Sequence, residues 1–225
     1  MRMPPAGDVL DYGRRLGWGR TLLRGAYVMA NQLVPLSIFD CVRLRPQDVD
    51  PRLAEPVGPF ERRFLAPHEL DRFAGELDAV GGRILREAQY SGASCYAVLD
   101  GERLANIGFY ANRPTPILND LIVHFDSRYW YMYGAFTPAA YRGHRLHAFG
   151  VLGAAQELFA RQVPALVGVY ERTNYRSMVS ALRMGWRQCG TMYRLRLGPW
   201  TRISRSTGAR ALGMRLEPRR GGGRA

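Results

Sequence analysis

Tyr141-Arg142-Gly143-His144-Arg145-Leu146-His147 stands directly before the most regular amphipathic stretch of the chain, Arg145–Arg161, and just after Thr137-Pro138. A tight loop that opens a helix aims several backbone N–H groups at one point and adds the positive end of the helix dipole. It can therefore cradle phosphate largely through its main chain. Small residues in such a loop let the backbone come close to phosphate. Arg145 and His147 are bulky, so they either point outward or touch the anion themselves. Further along, Asn174 has the chemistry of a helix N-cap, and Gly185-Trp186 follows it at eleven and twelve residues, where a glycine would end that helix in a left-handed conformation. Proton transfer at such a site needs a titratable group. Three are candidates for a base: Glu171, which follows the strand ending at Tyr170; His124, which alternates with Ile122 and Asp126; and Tyr133, which shares a strand face with Tyr129 and Tyr131. No cluster of His, Cys or carboxylates has metal-ligand spacing, so no metal is expected.

The elements that must position these residues are legible as patterns. Residues 8–33 read as a basic amphipathic helix weakened by Gly13, Gly17, Gly19 and Gly25. Ser37–Leu44 has strand composition. Pro67 opens a short helix, and a second is expected over Leu77–Gln89. Ser94–Leu99 and Leu104–Tyr110 flank Asp100-Gly101, a hairpin signal. Leu121–Phe125 and Tyr129–Phe136 read as two further strands, antiparallel across Asp126-Ser-Arg. The helix at 145–161 carries Leu146, Phe149, Leu152, Ala155 and Leu158 on one face, interrupted only by Gly150 and Gly153. Ala165–Tyr170 is a short buried strand, Asn174–Met184 a helix, and Trp186–Leu197 a last strand. Beyond Gly198 the Arg-, Gly- and Pro-rich composition predicts a flexible tail. This order gives an α+β domain: a mixed, mostly antiparallel sheet flanked by helices, with one parallel strand–helix–strand crossover around the 145–161 helix. The expected organisation is a basic helical segment over 1–36, the domain over 37–198 and the tail over 199–225.

Together, Arg142-Gly143, the helix after them, Asn174, Ser177, Leu182 and Gly185-Trp186 resemble the GNAT superfamily of acyl-CoA-dependent N-acyltransferases. The resemblance implies that the strands on either side of the 145–161 helix splay apart to admit an acyl-CoA, acetyl-CoA among them. It implies that the backbone of Ala135, Phe136 and Thr137 pairs with the pantetheine arm as an added strand, that Arg142 to His147 hold the pyrophosphate, and that Asn174 and Ser177 contact the arm. The acceptor would be an amine, of a small molecule rather than a protein. Many members carry a tyrosine seven residues after the Asn as proton donor; Ala181 stands there, leaving Tyr175, Ser177 or a water as substitutes. Arg145 and His147 stand where the family has small residues.

Composition bounds the alternatives. All 32 cationic residues are Arg, a side chain that keeps its charge and grips phosphate with a planar fork. Ten of the 13 net positive charges lie in residues 1–46 and 201–225. The central domain is therefore no basic slab for a nucleic-acid backbone. The ends could dock an acidic acyl carrier protein as a long-chain donor, or an anionic membrane surface through the N-terminal segment. A GNAT-shaped scaffold without catalysis is the third reading, motivated by Ala181. Cys41, Cys95 and Cys189 form no disulfide or metal pattern and suit a reducing cytoplasm. Acceptor identity and oligomeric state leave no mark in the sequence.

Overall fold

A computed structural model describes residues 18–30, 35–77, 92–118, 120–197 and 200–219, with isolated positions 14, 82, 85, 86, 88 and 89. Most of the helix expected over 77–89, and most of residues 1–17, lie outside the described residues. Within the N-terminal segment, helix α1 spans Trp18–Ala30. Pro67–Glu69 and Asp71–Glu76 are 3₁₀ turns, not α-helix.

The frame is an eight-stranded sheet of β1 (Leu36–Leu44), β2 (Glu61–Leu65), β3 (Ser94–Asp100), β4 (Arg103–Ala111), β7 (Trp130–Phe136), β8 (Leu166–Glu171), β9 (Arg187–Leu197) and β10 (Trp200–Arg205). Its order is β10-β9-β1-β8-β7-β4-β3-β2. All its neighbours are antiparallel except β7 and β8, which pair in parallel and are joined through helix α2 (Leu146–Ala160). The first strand in the chain thus lies between β8 and β9, two of the last. The β3–β4 hairpin forms with Asp100 paired to Arg103, so its two-residue turn is Gly101-Glu102, one residue later than the Asp-Gly signal suggests.

Helices α2 and α3 (Tyr175–Arg183) cover one face of the sheet, where Val151, Leu152, Leu158, Met178 and Val179 pack on Val42, Leu44, Tyr96, Tyr110 and Leu166. A three-stranded sheet covers part of the other face: β5 (Thr115–Leu118), β6 (Leu121–His124) and β11 (Arg215–Pro218), in the order β11-β6-β5. Its Leu121, Val123 and Leu216 bury Phe39, Cys41, Tyr131, Val167 and Met192. Two expectations are corrected here. Residues 121–125 do not pair with 129–136: β7 pairs with β4 on one edge and, over Trp130–Met132, with β8 on the other, while β6 pairs with β5 and β11 in a separate sheet.

Nor is the chain beyond 198 a flexible tail as far as it is described. It forms β10, helix α4 (Thr207–Ala211) and β11, and buries Ala209, Leu212, Met214 and Leu216. Backbone contact fixes α4 to β9. A Cβ at Gly208 would lie 1.8 Å from the Cys189 carbonyl oxygen, while Ser206 Oγ accepts from Thr191 N at 2.9 Å. Truncating the fully buried Met214 to Ala is expected to cost about 2–5 kcal/mol, seen as a lowered midpoint of urea unfolding. A change below about 0.5 kcal/mol would mean that this segment does not belong to the core.

Candidate active site

The sheet opens between β7 and β8. They pair only at Trp130–Leu166, Tyr131–Val167 and Met132–Gly168. On its other side β7 continues along β4, with one irregularity: Phe109 faces Gly134 and Tyr110 faces Met132, so Tyr133 is an extra, bulged residue. A bulge re-aims the backbone, and such features concentrate beside active sites. Beyond Met132, the β7 edge turned toward β8 has no strand partner in the sheet. Unused N–H and C=O groups of that kind can accept an extended ligand as an added strand.

Two adjoining cavities fill the opening. One, of about 270 Å³, lies between Met132–Ala135 and Val169–Glu171 and is completed by His147, Asn174 and Ser177. The other, of about 470 Å³, is bounded by Ala135, Phe136, Thr137, Arg142 and His147, with Arg176, Ser177 and Ser180 opposite. Ala135, His147 and Ser177 line both, so they form the waist between the two chambers.

Each wall has a local cause. Asn174 caps α3, its side-chain oxygen accepting from Ser177 N at 3.2 Å, and its own N–H donates to the Glu171 carbonyl at 2.8 Å, tying the end of β8 to the helix. The buried Asn106 donates through Nδ2 to Phe136 O at 3.0 Å and Thr137 Oγ1 at 2.8 Å, pinning the exit of β7. Arg142 Nε donates to Thr137 O at 3.1 Å and closes the loop before α2. At the far end, Arg172 forms an ion pair with the buried Asp40, which also accepts from Gln188 Nε2 at 2.8 Å. That pairing balances the cation next to Glu171. Burial pushes the Tyr170 hydroxyl up to about 12, so it stays protonated and can donate.

Of the candidate binding residues, Ala135, Phe136, Thr137, Arg142, His147, Asn174 and Ser177 line the cavities, and of the candidate bases Glu171 and Tyr133 do. Leu146 instead belongs to the core with Val98, Ala105 and Phe149. Gly143, His144 and Arg145 are exposed in the loop and line neither chamber. His124 is also set apart from them: it sits on β6, with Nε2 2.9 Å from Glu217 and Nδ1 3.3 Å from Arg215 of β11. The sequence reading missed Tyr170, Arg176 and Ser180. Tyr170 directly precedes Glu171 at the predicted strand end, and Arg176 and Ser180 are four apart on α3, so alternation and helical spacing were the available signals.

The two bulky residues of the loop are accommodated differently. Arg145 takes φ 57° and ψ 10° as the N-cap of α2, a left-handed conformation that costs a side-chain-bearing residue about 1–2 kcal/mol. The backbone thus keeps a glycine-like turn where the sequence has Arg. Arg145→Gly is expected to leave stability unchanged or raise it by up to about 1 kcal/mol, the relief being partly offset by unfolded-chain entropy. A loss above about 1 kcal/mol in thermal unfolding would contradict this. His147, by contrast, faces the waist, and burial lowers its pKa below the ordinary value of 6.5. The sign follows: above pH 6.5 both folded and unfolded chains hold it neutral, and below 6.5 the unfolded chain takes the proton first. Its contribution to stability is therefore complete at neutral pH and lost as pH falls from about 6.5 toward the folded value. Unfolding midpoints at pH 7.5 and 5.5 should converge in His147→Asn relative to wild type, by up to about 1.4 kcal/mol per pH unit.

Among the described residues no group of three or more His, Cys, Asp or Glu could hold a metal ion, and no helix is long and apolar enough to cross a membrane.

No protein-family model matches the sequence, and no curated protein matches it. Solved structures of similar shape include a functionally unknown conserved protein from Staphylococcus epidermidis, with TM-score 0.48 and 8% identity, covering 74% of this chain and 65% of that one. An acetyltransferase from the GNAT family of Colwellia psychrerythraea has TM-score 0.47 and 11% identity, covering 75% of this chain and 55% of its own. A GCN5-related N-acetyltransferase from Kribbella flavida has TM-score 0.44 and 13% identity, covering 84% and 66%. The chain spans less than two thirds of the length of each of these proteins.

Proposed function

We propose that the protein transfers an acetyl or other short acyl group from an acyl-CoA to the amine of a small molecule. The observation that carries this reading is the parting of β7 and β8 after three residue pairs, with a chamber on each side of the Ala135–His147–Ser177 waist. The order strand, loop, helix, strand, helix around that opening is the one that the resemblance in the sequence implies.

The residues present fit such a donor. Arg142 and Arg176 bring two cations, and Thr137, Ser177 and Ser180 bring hydroxyls, to the chamber beside the start of α2, where phosphate would be stabilised. The open edge of β7 at Gly134–Phe136 offers main-chain partners to the arm. In the chamber between the strands, Glu171 is placed to take the proton that an attacking ammonium must lose. Backbone N–H groups near the Tyr133 bulge can polarise the thioester carbonyl. As the nitrogen bonds to the carbonyl carbon and the C–S bond breaks, Tyr170 can supply a proton to the sulfur and recover one from the second proton that the nitrogen loses on becoming an amide. The acid that Ala181 does not provide is thus available from β8; Tyr175, the nearest alternative in sequence, is buried in the core.

Calorimetric titration with acetyl-CoA, and with pantetheine lacking the nucleotide phosphates, tests the reading. Micromolar binding that weakens when the phosphates are removed, and weakens again in Arg142→Ala/Arg176→Ala, is expected. Absence of binding at millimolar acetyl-CoA would overturn the CoA donor. Turnover seen only with an acyl carrier protein would move the donor to that class.

A further inference from the structure

The most exposed large apolar side chains among the described residues fall in just two places. Trp18, Leu22, Leu23 and Met29 lie on α1, Leu22 being 71% exposed, and Leu197 and Trp200 lie at the tip of the β9–β10 hairpin, Trp200 being 79% exposed. Isolated exposed apolar residues are ordinary, whereas clusters of them mark contact surfaces. At one residue per 100° of helix, Trp18, Leu22 and Met29 fall within about 40° of one another, and Tyr27 lies on the opposite side.

Tyr27 decides which way that stripe faces. It is buried, its hydroxyl donates to Leu36 O at 2.9 Å and accepts from Ile38 N at 2.9 Å, and Thr21 is buried as well. Among the described side chains of α1, Tyr27 and Thr21 are therefore turned to the protein, while Trp18, Leu22, Leu23 and Met29 are turned to solvent. The hairpin tip is at the same end of the sheet: Arg196 N donates to Pro35 O at 3.1 Å, and Leu36 pairs with Leu195. So is the mouth of the cavity, since Glu171 at the end of β8 pairs with Phe39 near the start of β1. The Tyr27 hydroxyl is raised above its ordinary value by burial and, in smaller part, by the charge of Glu171, which puts α1 within electrostatic reach of that mouth.

Arg predominates in the two segments that carry these apolar groups, with Asp120 against Arg194 of β9 and Glu171 near Tyr27 the neighbouring carboxylates. Residues 12–39 hold four Arg and no acid, and residues 172–216 hold ten Arg and no acid. Exposed Arg196 and Arg202 flank the hairpin tip and pair with no carboxylate among the described residues. Apolar side chains in two separate elements with Arg around them match the boundary of an anionic bilayer: headgroups answer the cations, and the acyl region just below takes Trp, Leu and Met.

We propose that α1 and the β9–β10 tip form a docking surface for an anionic lipid bilayer, with the mouth of the β7–β8 cavity turned toward the lipid. The surface stands on its own observations and does not depend on the acyl-transfer reading. The test is co-sedimentation of the full chain with vesicles of phosphatidylcholine alone and of phosphatidylcholine mixed with phosphatidylglycerol. Expected are binding to the mixed vesicles at least about tenfold stronger than to phosphatidylcholine, weakening as salt rises, and a loss of about tenfold or more in both Leu22→Glu/Met29→Glu and Trp200→Ser. These side chains are exposed, so unchanged thermal unfolding confirms that the variants remain folded. Failure to bind mixed vesicles, or binding that the variants leave intact, would overturn the proposal. So would a dimer in light scattering that Leu22→Glu dissociates, which assigns the stripe to a second copy. Retention on an acidic carrier protein but not on vesicles would overturn it as well.

Discussion

Glu171→Gln is expected to lower kcat for amine acylation by about 10²–10⁴-fold, the usual contribution of a positioned general base. Among the described residues Glu171 is the only carboxylate lining the chamber between β7 and β8. Its position is held on three sides: by pairing with Phe39 of β1, by Asn174 N bound to its carbonyl, and by the Asp40–Arg172 ion pair beside it. Gln preserves shape and hydrogen bonding while removing the ability to take a proton. Acetyl-CoA affinity by calorimetry and the thermal midpoint should therefore stay near wild type while kcat collapses. The loss should shrink at high pH, where a larger share of the acceptor arrives already as free amine. A kcat within about threefold of wild type would move the base elsewhere, with Tyr133 the remaining candidate that the structure places in the chamber. Tyr170→Phe should give a smaller loss, since a thiolate leaves more readily than an amine.

Gly185→Ala is expected to be among the most damaging single methyls at the described residues. Gly185 ends α3 at φ +93°, with Trp186 N bound to Ala181 O at 3.1 Å and Gly185 N to Leu182 O at 3.3 Å. This is the double-bonded helix ending that favours glycine. The conformation alone would cost Ala about 1–2 kcal/mol. A Cβ there would also lie 1.9 Å from the carbonyl oxygen of Asp48, so backbone must move. Asp48 has little freedom: its buried carboxylate is 2.8 Å from Arg45 and 2.7 Å from Arg187. A total loss of at least about 3 kcal/mol follows, or roughly 6–12 °C in Tm for a domain of this size. A shift below about 2 °C would show that the 45–54 loop yields freely. Because α3 also carries Asn174, Ser177 and Arg176, donor affinity should fall along with stability.

The parts of the molecule that could be read in advance are those whose signals are local. The α2 face repeats every three to four residues, Asn174 and Gly185 mark both ends of α3, and Gly101 marks a hairpin; each is settled by chemistry within one or two turns of chain. What could not be read depends on distant partners. Leu212, Met214 and Leu216 are apolar residues spaced among Arg and Gly, too sparse to look like a core until β6 and β9 are set against them. Leu121–His124 has ordinary strand composition, and nothing within it says that its partners are β5 and β11 rather than β7. His124 looked like a base because it alternates with apolar residues. Its true neighbours, Arg215 and Glu217, lie about ninety positions away.

The site was legible along one line of chain and obscure across it. Ala135, Phe136, Thr137, Arg142, His147, Asn174 and Ser177 are arranged by consecutive elements, and they line the cavities, whereas Gly143, His144, Arg145 and Leu146 do not. Tyr170 and Arg176 acquire meaning only once the neighbouring walls are known. The mismatch at Arg145 is resolved in the backbone, which holds the left-handed turn regardless. The one at His147 is resolved in the cavity, where the imidazole narrows the waist.

The place of β1 has a consequence for how the chain reaches this state. Leu36–Leu44 hydrogen-bonds to β8 on one side and β9 on the other, so a segment made early during synthesis waits for partners that emerge more than a hundred residues later. Closing so long a loop is slow. Until then β1, with its central Ile38–Val42 fully apolar apart from Asp40, is an unpaired sticky edge. Refolding from denaturant should accordingly be limited by capture of this strand. A peptide of residues 1–46 supplied in trans to the remaining chain offers a direct way to time that step.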